Sequence, residues 1–130
     1  MHNNESAENY LETILMLSKK LRVVRSVDIA NELGYKKSSI SIAMKHLREK
    51  NHITVSPEGY IDLTESGLAI AEMIFERHEI LTNVLTTLGV PEEIASKDAC
   101  RIEHVISQES FDAIKEHVTK YGHHEYFKPN

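Results

Sequence analysis

The sequence predicts a mainly α-helical protein, with an N-terminal winged helix-turn-helix followed by an all-helical second domain. Three observations carry that expectation. Two amphipathic segments, 26–33 and about 38–50, are separated by Gly34, a residue able to adopt the left-handed conformation that ends a helix. Two short runs rich in β-branched and aromatic residues, 52–55 and 60–63, then flank Ser56-Pro57-Glu58-Gly59 and read as a β-hairpin. From residue 65 onward the apolar residues recur at helical spacing.

Each element has its own justification. Residues 7–20 place Leu11, Ile14, Leu15 and Leu17 at helical spacing, with Ser6 as a candidate N-cap. Ser26 opens a second helix that ends at Leu33. The third, about 38–50, puts Ile40, Ala43, Met44 and Leu47 on its buried face and Ser39, Ser41, Ile42, Lys45 and Arg48 outside. Lys36, Lys37 and Ser38 stand at its entrance. Short hydroxyls that approach base edges, flanked by cations for phosphates, are what a recognition helix presents to DNA. A solvated helix face would carry the same charges.

The hairpin behind that helix is in the place of a wing. Thr64-Glu65-Ser66-Gly67 restarts a helix that runs to about residue 88, with Leu68, Ala71, Met73, Ile74, Ile80, Leu81, Val84 and Leu85 as its apolar side. Gly89-Val90-Pro91 breaks it. Residues 92–106 form a fifth helix and 107–121 a sixth, with Phe111, Ile114 and Val118 inward. The expected division is a DNA-binding domain over 1–66, a second, all-helical domain over 67–122, and a mobile tail over 123–130.

The net charge of −5 argues against a nucleic-acid partner until it is resolved along the chain. Residues 17–56 hold nine Lys/Arg against three acids, whereas residues 57–130 hold six against fourteen. The result is a local basic footprint in an acidic chain. A single cysteine cannot form an internal disulfide, which fits a reducing cytoplasmic setting. The polar first nine residues do not resemble a secretory signal, and no apolar run is long enough to span a membrane. No HExxH pair and no phosphate-binding glycine loop is present, so an enzyme and a small-molecule substrate are not expected.

The densest chemistry lies at Cys100-Arg101-Ile102-Glu103-His104. At ~100° per residue, Cys100, Glu103 and His104 fall on one helix face. Thiolate, carboxylate and imidazole are donors for first-row transition metals. The plain alternative is a small buried thiol beside solvated polar neighbours.

Taken together, Asn9-Tyr10-Leu11-Glu12, Val27-Asp28-Ile29-Ala30, Ser38-Ser39-Ile40-Ser41, Arg77-His78-Glu79 and Ala99-Cys100-Arg101-Ile102-Glu103-His104 resemble, in order and spacing, one known family. The chain is similar, from about residue 6 to 121, to the metal-dependent repressors related to the diphtheria toxin repressor, and especially to the short manganese transport regulators. The resemblance implies metal ligation by Cys100, Glu103, His104, His78 and Glu12, with Asn9 one turn before Glu12. It implies Fe(II) or Mn(II), one or two ions per subunit, as co-repressor of a homodimer on a palindromic double-stranded DNA operator, and repression of metal-uptake genes.

Two positions depart from the pattern. Asn9 stands where the manganese regulators have an aspartate, and Cys100 where they have a glutamate, so the implied site is a hybrid. Thr82 and Ser96 stand where an iron-type ancillary site would have a glutamate and a histidine. The alternative reading is a winged-helix regulator that answers a non-metal signal or binds DNA without metal. Ile94, Ala95, Ile102, Val105, Ile106, Phe111 and Ile114 offer more apolar surface than two short helices bury on one long helix, which points to a two-fold interface.

Overall fold

A computed structural model describes residues 3–121. The expected tail, 123–130, lies outside the described residues. The chain comprises α1 (Asn3–Ser18), α2 (Ser26–Leu33), α3 (Lys37–Glu49), β1 (Ile53–Val55), β2 (Ile61–Leu63), α4 (Glu65–Thr87), α5 (Glu92–Ile102) and α6 (Gln108–Tyr121). It divides into two compact units, 1–73 and 74–130, with the division inside α4. None of these helices is long and apolar enough to cross a membrane.

In the first unit α2 packs on α1 and α3, while α3 also contacts β1 and α1 contacts β2. Leu11, Ile14, Leu15 and Leu17 of α1, Ile29 of α2, and Ile40, Met44 and Leu47 of α3 are buried, as their spacing requires. Ala43 is only half-buried. No helix breaker separates Asn3 from Ser6, so α1 starts earlier than expected and Ser6 lies within it rather than capping it. Its end is tightened. The Ser18 hydroxyl donates to the Leu15 carbonyl at 2.7 Å, and Lys20 N–H donates to Leu17 at 3.0 Å, one residue short of the α-helical register.

Between α2 and α3, Gly34 adopts φ 71° and its N–H closes on the Ala30 carbonyl at 2.8 Å, a left-handed cap that turns the chain into the next helix. At the other end of α2, the Asp28 carboxylate accepts the Arg25 backbone N–H at 2.8 Å. The wing is antiparallel, pairing Ile53 with Leu63, Thr54 with Asp62 and Val55 with Ile61. One end of each strand is sunk in the core, since Ile53 and Ile61 are both buried. Ile61 N–H also donates to the Val24 carbonyl at 2.7 Å, which ties the segment before α2 to the wing.

The wing is locked to the start of α4. Thr64 caps that helix, its hydroxyl accepting Gly67 N–H at 3.2 Å and donating to the Asn51 carbonyl at 2.7 Å. A Cβ at Gly67 would overlap the His52 carbonyl, so this close approach of backbones admits only glycine.

In the second unit the core is Ile74, Ile80 and Leu81 of α4, Ala95 and Ala99 of α5, and Phe111 and Val118 of α6. Earlier on α4, in the first unit, Leu68 is exposed instead of joining the apolar side. Ser107 caps α6 by accepting Ser110 N–H at 3.0 Å. Two residues expected at a two-fold interface, Ala95 and Phe111, are spent in the subunit's own core, whereas Ile94, Val105 and Leu88 remain exposed.

Candidate metal centre and nucleic-acid interface

The fifth helix is shorter than its sequence suggests. It ends at Ile102, and Glu103 and His104 occupy the turn that follows rather than a continuing helix. Glu103 nevertheless keeps helical angles, φ −58° and ψ −26°, and its N–H still reaches the Ala99 carbonyl at 2.8 Å. The helical register therefore persists just long enough to bring the cluster together. Donor atoms of Cys100, Glu103 and His104 all lie within 4.8 Å of one another. Donors about 2.0–2.3 Å from one tetrahedral cation are roughly 3.3–3.8 Å apart, so a contraction on the order of 1 Å would close this set on a metal.

Glu103 is the centre of the arrangement and is fully buried. One carboxylate oxygen, Oε1, is 2.8 Å from His78 Nδ1 on α4. The other, Oε2, makes no hydrogen bond among the described residues and lies 3.4 Å from His104 Nε2. A buried carboxylate oxygen whose nearest polar neighbour, the His104 imidazole, makes no hydrogen bond to it is costly. A cation held between that oxygen, the imidazole and the thiolate would remove the cost, so this donor set fits a divalent transition metal. Cys100 is exposed, which does not match the alternative of a small thiol packed in a core.

His78 is engaged at both ring nitrogens. Its Nε2 is 3.3 Å from the Ser96 hydroxyl on α5, opposite the Nδ1 contact to Glu103. Ser96 thus fixes the ring orientation of His78. The Thr82 hydroxyl, one turn further along α4, is buried with no hydrogen-bond partner among the described residues. Asn9 and Glu12 stand one turn apart on α1 in the first unit, both half-buried, and the Asn9 carbonyl accepts the Thr13 hydroxyl at 2.8 Å.

Arg77, quoted above only as part of the Arg77-His78-Glu79 motif, is buried beside the cluster. It is 7% exposed, and its guanidinium donates to the carbonyls of Glu103 and Ile106, each at 3.0 Å, and to Gln108 Oε1 at 2.8 Å. The available signal was an arginine on the same stripe as Ile74 and Leu81, where a cation must find buried oxygens.

On the first unit, α3 exposes every residue assigned to DNA contact. Lys36 occupies the N-cap position with φ −71° and ψ 145°. Lys37, Ser38, Ser39, Ser41, Lys45 and Arg48 are all exposed behind it. Ser41, Lys45 and Arg48 share a surface depression with Ser26 and Val55, between the helix and the wing. Arg25 adds a further cation here, its guanidinium 5.0 Å from the centre of the Tyr60 ring next to β2.

Comparison with known proteins gives the same division of labour. Residues 3–61 match the family described as iron dependent repressor, N-terminal DNA binding domain. Residues 64–129 match iron dependent repressor, metal binding and dimerisation domain. The chain is 35% identical over 121 residues to the transcriptional regulator MntR of Escherichia coli, covering 93% of this chain and 78% of that one. Among solved structures it is similar to T. acidophilum IdeR, with a TM-score of 0.76, 26% identity, and coverage of 86% of this chain and 53% of that one. A manganese-dependent transcriptional repressor solved with manganese shares the fold, with a TM-score of 0.80, 24% identity, and coverage of 87% and 52%. The chain therefore spans about half the length of these two solved proteins. It belongs to the iron-dependent repressor family, the metal-dependent DNA-binding transcriptional regulators related to the diphtheria toxin repressor and the manganese transport regulators.

Proposed function

We propose that this protein is a cytoplasmic repressor of metal-uptake genes, acting as a homodimer on a palindromic operator with Fe(II) or Mn(II) as co-repressor, and by binding rather than catalysis. The observation that carries the metal reading is the buried Glu103 Oε2, without a hydrogen bond beside His104 and Cys100. Cys100, Glu103 and His104 are the proposed core donors, with His78, Glu12 and Asn9 as further donors. A cation bound there would supply the positive charge this donor set is missing and hold the α5–α6 turn in one conformation.

The chain's own residues do the rest. Residues 67–122 bind metal and dimerise, while residues 1–66 bind DNA through α3. Ser39 and Ser41 face base edges, and Lys36, Lys37, Lys45 and Arg48 meet phosphates. Two such helices must be spaced by about one DNA turn, or a multiple of it, on the operator. Metal favours the dimer conformation that has this spacing, to the extent that it binds that conformation better.

The test is operator binding at fixed salt with Mn(II), Fe(II), Zn(II) or chelator. Affinity is expected to rise with metal and fall with chelator, and Lys37→Ala should weaken binding to all sequences alike and flatten the salt slope by about one unit. Operator affinity indifferent to metal would mean that another signal, or none, controls the protein.

A further inference from the structure

Two neighbouring residues of α4 grip Glu103 at its two ends. His78 holds the side-chain oxygen Oε1, while Arg77 holds the backbone carbonyl at 3.0 Å. The same Arg77 nitrogen, Nη1, also holds the carbonyl of Ile106 at 3.0 Å, and Nη2 reaches Gln108 Oε1 at 2.8 Å. The guanidinium carbon lies 5.4 Å from the centre of the Phe111 ring. Among the described residues, the partners of this buried cation are three neutral oxygens and an aromatic ring.

The segment so clamped, residues 103–108, joins α5 to α6 and contains Glu103 and His104. Within it, Ile106 N–H returns to the Ile102 carbonyl at 2.9 Å and Val105 N–H to the same carbonyl at 3.0 Å. The carbonyls of Glu103 and Ile106 have Arg77 as their donor. A planar guanidinium presents its donors in a fixed fork, so it sets the angle between the carbonyls it binds, which an ammonium on a flexible stem does not.

From this geometry we infer that Arg77 is a positioning residue for the metal centre. Its fork pins the α5–α6 turn so that Glu103 Oε2 and the His104 imidazole are presented together, and it links that turn to the start of α6 through Gln108 and Phe111. This rests on the assignment of Cys100, Glu103 and His104 as metal donors.

The experiment compares the parent protein, Arg77→Lys and Gln108→Ala by Co(II) titration, reading both affinity and the ligand-field and thiolate charge-transfer bands. Circular dichroism and thermal melting without metal report on the fold. Arg77→Lys keeps the charge but loses the fork, and Co(II) affinity is expected to fall about 10- to 100-fold, with shifted ligand-field bands, as for loss of a ligand-orienting partner. Gln108 is exposed, so Gln108→Ala should still fold, with a modest drop in melting temperature from the lost Arg77 hydrogen bond, and show a smaller loss of Co(II) affinity in the same direction. If Arg77→Lys does not fold, the loss in Gln108→Ala decides. Parent-like affinity and spectra in the folded variants would overturn the inference. A parent protein with no Co(II) bands would instead remove the metal centre itself, and the role of Arg77 with it.

Discussion

In His104→Ala, metal-activated operator binding is expected to disappear for every divalent metal. The imidazole side chain is 3% exposed and its Nε2 faces the buried Glu103 Oε2, so nothing from solvent takes its place with the same geometry. Loss of a partner that merely orients a ligand costs about 10- to 100-fold in metal affinity, and loss of the ligand itself should exceed that range. Metal-free operator binding should stay at the basal level of the parent, because α3 and the wing are built from other residues. Fluorescence anisotropy on a labelled operator, with metal titrated at constant ionic strength, reads both quantities. A His104→Ala protein that still answers Mn(II) or Fe(II) as the parent does would exclude the imidazole from the site.

Cys100→Ser should change which metal is preferred rather than end binding altogether. A neutral hydroxyl of nearly the same shape replaces a thiolate, which removes a soft, charged donor and leaves the carboxylate and imidazole in place. Fe(II), Co(II) and Zn(II) are expected to lose about 100-fold or more, and Mn(II), which suits oxygen donors, clearly less. Because Cys100 is exposed, the substitution opens no cavity and the melting temperature without metal should be unchanged. Cys100→Glu carries the change further, restoring charge as a hard donor and moving preference toward Mn(II). Competition titrations against a chromogenic chelator give the ratios, and an equal loss for all metals would show that the thiolate does not set selectivity.

The winged helix was legible because its signals are local. Gly34 marks a left-handed cap, Pro57 and Gly59 mark the hairpin, and the apolar stripe Ile40–Met44–Leu47 marks the buried face of α3. The proximity of Cys100, Glu103 and His104, the proposed donors, was legible for the same reason, since the helical period alone places three such closely spaced side chains together. Spacing along the chain said nothing about contacts between elements. His78 lies 25 residues before Glu103, and their 2.8 Å contact comes from the packing of α4 on the α5–α6 turn. The motif Arg77-His78-Glu79 carries no sign of what Arg77 does, whereas its place on the Ile74–Leu81 stripe sends it inward. α5 ends four residues before its apolar pattern does. Val105 and Ile106 continue the apolar pattern, but Val105 N–H donates to the carbonyl of Ile102, one residue short of the α-helical register, and this tightening ends the helix there.

The most direct test of the metal centre is zinc-edge X-ray absorption on the loaded protein. Zinc bound by thiolate shows a sulfur shell at about 2.3 Å, distinct from nitrogen and oxygen donors at about 2.0–2.2 Å. The sequence holds one cysteine, so a thiolate in the shell has a single possible source. The expected result is one sulfur per zinc together with imidazole scattering, the sulfur shell vanishing in Cys100→Ser and the imidazole contribution diminishing in His104→Ala. A parent protein whose zinc is surrounded only by nitrogen and oxygen would contradict the assignment of Cys100 and, with it, the hybrid site on which the account rests.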